Sequence, residues 1–260
     1  MHKTKNFGDM NIIVPIKQVP DLVEELEVDS SGKALDKEWL KFRINEFDDH
    51  ALEEALLLKE DLGGTVTVIA LDGDDVDKAL YTAAAKGADK LIKVTGVDAE
   101  LDNHKAAMAL ASVIKDMDYD LILTGVQAVD DLDGQLPVLL AEYLGLPHIE
   151  VVTGVKVDGN VATVQKEFSG GIVGEYEVDL PAVLGIQAAR ETPRYVPVAK
   201  VRRAMRSAEI EEVSANVGDV SSALTVERMF KPETGGGAEF LTGSVDEIAA
   251  KIVELIKSKI

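Results

Sequence analysis

The run Gly125-Val126-Gln127-Ala128-Val129-Asp130-Asp131-Leu132-Asp133-Gly134-Gln135 is the segment of this sequence best suited to hold a ligand. It leaves an apolar run at 120–124 (DLILT) that reads as a buried strand, and it opens a helix over 135–144. In open α/β sheets, ligands bind outside the carboxyl ends of the strands. Gly125 lets the backbone leave the strand close to a ligand. Gly134 and Gln135 stand where free N–H groups and the helix dipole favour a phosphate. The spacing is neither the Rossmann GxGxxG nor a P-loop with its lysine. The loop centre is acidic, so Asp130, Asp131 and Asp133 suit ribose hydroxyls or helix capping better than a phosphate. A cation site on these carboxylates lacks a complementary ligand cluster. An ordinary strand-to-helix loop with Asp turns is the plain alternative.

Two further segments could carry function. In Asn45-Glu46-Phe47-Asp48-Asp49, Asn45 or Asp48 suits a helix N-cap, with Phe47 as an apolar staple; the functional reading sets Asn45 in the crevice beside the 125–135 loop. Residues 181–206 hold Arg190, Arg194, Lys200, Arg202, Arg203 and Arg206 against Glu191 alone. That is a docking or anion-binding surface, or else a partner for the acidic excess of the same chain. Catalytic constellations are missing from the sequence: the four histidines are scattered, and neither HExxH nor GxSxG occurs. Glu24–Glu25 and Glu53–Glu54 read as solvated positions. A nucleotide crevice and a basic strip without acid–base machinery suit a binding or carrier subunit.

Composition narrows the field. The 260 residues carry 27 Lys+Arg against 47 Asp+Glu, a net charge of −20, and 46% are apolar, enough for a full core. The 181–206 stretch carries +5, so the rest carries −25, a field that repels nucleic acid. The absence of cysteine excludes disulfides, thiolate ligands and Fe–S clusters held by this chain. No apolar run approaches the length of a membrane span, and the start lacks an apolar signal core. A cytoplasmic protein without membrane insertion is expected, with residues 1–9 read as a leader or alternative start.

Positioning these segments requires alternating strands and helices. Strands are expected at 11–16, 65–71, 90–94 and 120–124, and helices at 48–58, 74–85, 103–115 and 135–144. This is a doubly wound, mostly parallel, Rossmann-like α/β sheet. The pattern then changes to a hairpin region at 151–157, 161–167 and 176–178, followed by a buried strand at 182–186. A small hairpin is expected at 28–35, and 190–206 reads as irregular or partly helical. The glycines at 235–237 form a joint before an amphipathic helix at 244–257 capped by Ser244. The expected organisation is an α/β domain over 1–234, with a strip at 190–206, and a C-terminal arm over 235–260.

Taken together, IVPIKQVPD (13–21), NEFDDHALEEALLLKE (45–60), YTAAAKGAD (81–89), GVQAVDDLDGQ (125–135) and LPAVLGIQAARETPRY (180–195) resemble, in the same order, the β (small) subunit of electron transfer flavoprotein, the FixA-type subunit. The resemblance runs from about residue 11 to the C-terminus. It implies a heterodimer with an α subunit that carries FAD. It also implies an AMP in this subunit, or a second FAD as in electron-bifurcating members. Electrons would come from acyl-CoA or amine dehydrogenases and pass to a membrane quinone oxidoreductase. By resemblance, cofactor contacts fall on Pro15, on Asn45, Glu46, Phe47 and Asp48, on Asp72, and on Gly125 through Leu136. Glu167 falls near the subunit interface. Partner docking falls on Arg194, Tyr195, Val198, Lys200, Arg202 and Arg203, with Val198 as the apolar anchor. The C-terminal arm falls on the partner subunit. Pro15, Val126 and Leu136 depart from the family's usual Ala, Lys and Thr; without the Thr hydroxyl, phosphate contact must lean on backbone N–H groups. A stand-alone ATP-binding signalling domain is the reading from another class, and it would lack the basic strip.

Overall fold

The computed structural model describes residues 9–97, 102–217, 224–232 and 237–259. Two compact units are formed: residues 1–26 with 37–225, and residues 27–36 with 226–260. The expected leader at 1–9 lies almost wholly outside the described residues, as do two of the three glycines of the expected joint.

The first unit is built on a nine-stranded sheet. Its strands are β1 (Met10–Pro15), β4 (Gly64–Leu71), β5 (Lys90–Thr95), β6 (Leu121–Gly125), β7 (His148–Asp158), β8 (Val161–Phe168), β9 (Ile172–Asp179), β10 (Ala182–Ile186) and β11 (Ile210–Ser214), in the order β11-β5-β4-β1-β6-β10-β7-β8-β9. All neighbours from β11 to β7 are parallel, whereas β7, β8 and β9 form an antiparallel meander. The expected mostly parallel sheet with a hairpin region is therefore present. Two short strands, β2 (Gln18–Pro20) and β3 (Phe42–Ile44), pair separately and were not anticipated.

Alternate strand residues serve opposite layers, which is why the central strands read as continuous apolar runs. On one face, Ile12, Val14, Leu121 and Leu123 pack with Leu52 and Leu56 of α1 (Glu46–Leu62) and Leu80 of α2 (Val76–Lys86). On the other, Ile13, Ile122 and Val183 pack with Leu110 and Ile114 of α3 (Asn103–Ile114) and Leu140 of α4 (Leu136–Leu144). The basic stretch ends in α5 (Val198–Ser207), which packs on α2 through its buried Ala204 and leads into β11. β11 was missed because an IEEVS edge strand carries few apolar residues.

Strand order decides where a ligand belongs. From β1 the chain moves through β4 to β5 on one side, then returns to β6 on the other. The ends of β1 and β6 are therefore the point where winding reverses and a crevice opens.

The second unit contains the expected small hairpin, with a bridge between Val28 and Leu35. Met229 N–H donates to the Gly32 carbonyl at 2.8 Å. The helix α6 (Val245–Lys257) starts with a capping box between Ser244 and Glu247. None of its residues is buried, and Ile252, Val253, Leu255 and Ile256 are about half exposed.

Leu52 is fully buried between α1 and the sheet. Leu52→Ala is expected to cost about 2–5 kcal/mol through lost burial and a residual cavity, and Leu52→Met less than about 1.5 kcal/mol. Urea denaturation of the two variants measures the difference.

Candidate functional site

The crevice is assembled around the first turn of α1. Asp48 is buried there, and its carboxylate joins two chain segments that meet at the reversal point. Oδ2 accepts the Lys17 N–H at 2.7 Å, just beyond β1, and Oδ1 accepts the Gly125 N–H at 3.1 Å, at the end of β6. Any Cβ at Gly125 would press into Asp48 Oδ1 and the Phe47–Asp48 backbone. The glycine is thus required by close approach of α1 to the strand end.

Asn45 extends the same junction. It occupies the N-cap position of α1, but its side chain makes no capping hydrogen bond. Instead Nδ2 donates to the Gln127 carbonyl at 2.8 Å, and Oδ1 accepts the Val129 N–H at 3.3 Å. Asn45 is fully buried and fastens the first half of the loop, as the crevice reading required. The loop then turns on itself: Leu132 N–H donates to the Ala128 carbonyl, and Leu132 adopts a left-handed φ of 57°.

Lys17, which sequence reasoning did not single out, resolves the acidic centre of the loop. Its ammonium reaches Asp130 Oδ1 at 2.8 Å and Asp131 Oδ2 at 3.2 Å. Burial opposes the charge on Lys17, but the two carboxylates outweigh it and the net shift of its pKa is upward. Asp131 also accepts the Asp133 N–H, so its carboxylate serves the loop's own turn. The available signal was a lysine placed directly after the first strand of a doubly wound sheet.

Other expected contacts surround this junction. Pro15 ends β1 beside Ile69. Glu46 is exposed and Phe47 half-buried at the start of α1. Asp72 is exposed at the end of β4, on the far side of β1. Beyond the loop, Leu136 begins α4 with Pro137 in its first turn, so the opening N–H groups of α4 face no intrahelical acceptor. Thr124 Oγ1 and Gln18 Oε1 are buried without a hydrogen-bond partner, one at the end of β6 and one just beyond β1. Thr124 Oγ1, the helix N-terminus and the Lys17 ammonium fit a polar ligand with an anionic group, whereas the Gln18 side chain lies toward Gly73 and the cavity beside Phe42–Ile44. Glu167 lies apart, exposed on β8 in the antiparallel meander.

The basic stretch splits into two populations. Arg190 and Arg194 turn inward onto α1. Arg190 donates from its backbone N–H and Nε to Glu54, at 2.8 and 2.7 Å, and from Nη1 to Asp61. Arg194 does the same to Glu53, at 2.9 Å from both donors, and reaches Glu60. Glu53 and Glu54, read as solvated from the sequence, are instead buried; the residues that bury them lie more than 130 positions away, out of reach of local patterning. Arg194, expected on the docking surface, is engaged within the chain. Lys200, Arg202, Arg203 and Arg206 have no carboxylate at ion-pair distance among the described residues, and Tyr195 and Val198 are 84% and 64% exposed. Among the described residues there is no cluster of three acidic or histidine side chains that could hold a metal, and no helix long and apolar enough to cross a membrane.

Burial pushes the Asp48 carboxyl up to about 7, against the hydrogen bonds from Lys17 and Asn45 and the Lys17 charge, which favour ionisation. The folded state therefore holds this proton at pH values where the unfolded chain has lost it. Stability from this group is greatest below pH 4, falls as pH rises through 4–7 and is flat above. In Asp48→Asn that slope should vanish, so the variant should gain relative to the wild type by on the order of a few kcal/mol across the window. Urea midpoints of both proteins at pH 5–8 test this; parallel curves would contradict it.

Residues 35–217 match the model of the electron transfer flavoprotein domain. The chain is 35% identical to the electron transfer flavoprotein subunit beta of Methylophilus methylotrophus, covering 95% of this chain and 98% of that protein. It is 31% identical to the same subunit of Bacillus subtilis, over 96% and 98%, and 33% identical to that of Clostridium acetobutylicum, over 96% and 99%. With nearly its whole length matched in this way, the chain belongs to the electron transfer flavoprotein family as a β subunit, an electron-carrier component and not an enzyme.

Proposed function

We propose that this chain pairs with an α subunit to form a heterodimeric, FAD-containing carrier, and that it holds an AMP at the 125–136 loop. The carrier takes electrons from an acyl-CoA or amine dehydrogenase and passes them to a quinone oxidoreductase. The observation that carries the nucleotide reading is the junction of Asn45, Asp48 and Lys17 at the reversal point of the sheet. It pins the loop from three sides with the chain's own side chains. Flavin bound in the complex supplies the one-electron chemistry. This chain supplies the fixed loop, the α4 N–H groups and the Lys17 ammonium.

Charge balance supports a phosphate-bearing ligand. Two aspartates beside a phosphate would repel it, but Lys17 sits between them and offsets one of the two charges, and the α4 N-terminus is the pole that favours the anion. Leu136 offers no hydroxyl, so the phosphate rests on backbone donors. A second FAD in place of AMP is the alternative, and the same backbone donors would serve its pyrophosphate.

The docking reading rests on the outward half of the basic stretch. Val198 forms a small apolar knob beside Lys200, Arg202 and Arg203, where charge steers encounter and the knob fixes a brief contact. The exposed apolar stripe of α6 suits packing on the α subunit.

Co-purification with the α subunit followed by acid release should yield one FAD and one AMP per heterodimer. Two FADs would establish the bifurcating alternative, and ATP on a homodimer without flavin would refute both. Gly125→Ala should strip the nucleotide from this subunit by displacing Asp48. Val198→Glu should leave flavin content unchanged and slow reduction by the dehydrogenase; stopped-flow rates equal to wild type would refute the anchor.

A further inference from the structure

We propose that Glu53 and Glu54 of α1 are positioning residues for partner docking, acting through the strap 189–194 without touching the partner. This inference rests on the docking reading given above. The strap runs along one polar stripe of α1. Ala189 N–H donates to His50 Nδ1 at 3.2 Å, Arg190 binds Glu54 and Asp61, and Arg194 binds Glu53 and Glu60. Residues 50, 53, 54, 60 and 61 share a face because they lie three, four, ten and eleven positions apart.

The form of the contact carries the argument. Each buried glutamate accepts two donors from one arginine, its backbone N–H and its Nε. The clasp therefore fixes the main chain as well as the side chain. Side-chain exposure is 0% for Glu54 and 3% for Glu53. Burying a carboxylate is costly unless it is paired, and such a pair is a weak source of stability compared with apolar packing. What it supplies here is a definite position for the backbone at two points four residues apart. The next residue, Tyr195, is exposed; Pro197 caps α5; and Ala204 is buried on α2. The segment bearing Tyr195, Val198 and the outward cations is thus held at both ends, ready to dock without an ordering cost.

The test compares Glu53→Gln and Glu54→Gln with Glu209→Gln, an exposed control outside the clasp that makes the same charge change, all in the complex purified with the α subunit. Hydrogen exchange over 189–197 and trypsin cleavage after Arg202 and Arg203 report the strap. Reduction kinetics are read with the acyl-CoA or amine dehydrogenase that reduces the wild type. The two buried-site variants should exchange faster. If the docking-ready population falls to about a tenth, KM for the carrier should rise about tenfold with kcat and flavin content unchanged. Removing a negative charge beside a basic strip would by electrostatics alone strengthen docking to an acidic partner, so a raised KM reports position and not charge. Should the single variants fail to fold, Glu53→Leu with Arg194→Leu replaces the pair by apolar packing, removes the side-chain clasp and should raise KM equally. An unchanged KM with a loosened strap would overturn the proposal, as would loss of flavin alongside kcat. If no dehydrogenase reduces the wild type, the docking reading fails, while exchange over the strap still reports the clasp.

Discussion

A single buried carboxylate holds the crevice at the reversal point of the sheet together. Asp48 takes one N–H from the chain leaving β1 and another from the chain leaving β6, the two strands between which the winding of the sheet reverses. At such a point two strand ends part and their backbone donors lose ladder partners. Asp48 satisfies one donor from each side and draws α1 so close to β6 that position 125 admits no side chain. Asn45 and Lys17 then act on a loop whose origin is already fixed.

α1 links the loop at 125–136 to the strap at 189–194. Its first turn fastens the 125–136 loop through Asn45 and Asp48; its middle fastens the 189–194 strap through Glu53 and Glu54. Its apolar face, with Leu52 and Leu56, anchors both to the sheet. A polar stripe this heavily buried is uncommon for a helix, and here nearly every position on it has a named acceptor or donor. The fold thereby turns one secondary-structure element into the shared support of the loop and the strap.

Much of this was legible in the sequence. The alternation of β-branched runs with helical periods gave the parallel sheet, and the apolar run before Gly125 placed the loop at a strand's carboxyl end. Asn45 was correctly set beside that loop. The missing parts depended on distant residues. Glu53 and Glu54 carry no local mark that distinguishes a solvated pair from a buried one, since Arg190 and Arg194 arrive from the far end of the unit. Arg194 was counted as outward for the same reason: charge composition cannot say which way a guanidinium points. Lys17 escaped notice because an acidic loop shows its need for a cation but not which residue meets it. The edge strand β11 and the β2–β3 pair were too short or too polar for periodicity to register.

The capping box on α6 has a consequence for how the protein has to be made. Ser244 and Glu247 satisfy donors of the first turn from within the chain, so the start of the helix needs no cap from a neighbour. Its isoleucine, valine and leucine stripe meanwhile stays about half exposed. An exposed stripe of that kind invites self-association. Any copy of the chain made in excess of whatever covers α6 would carry an open apolar face, a liability rooted in the chemistry of thirteen residues.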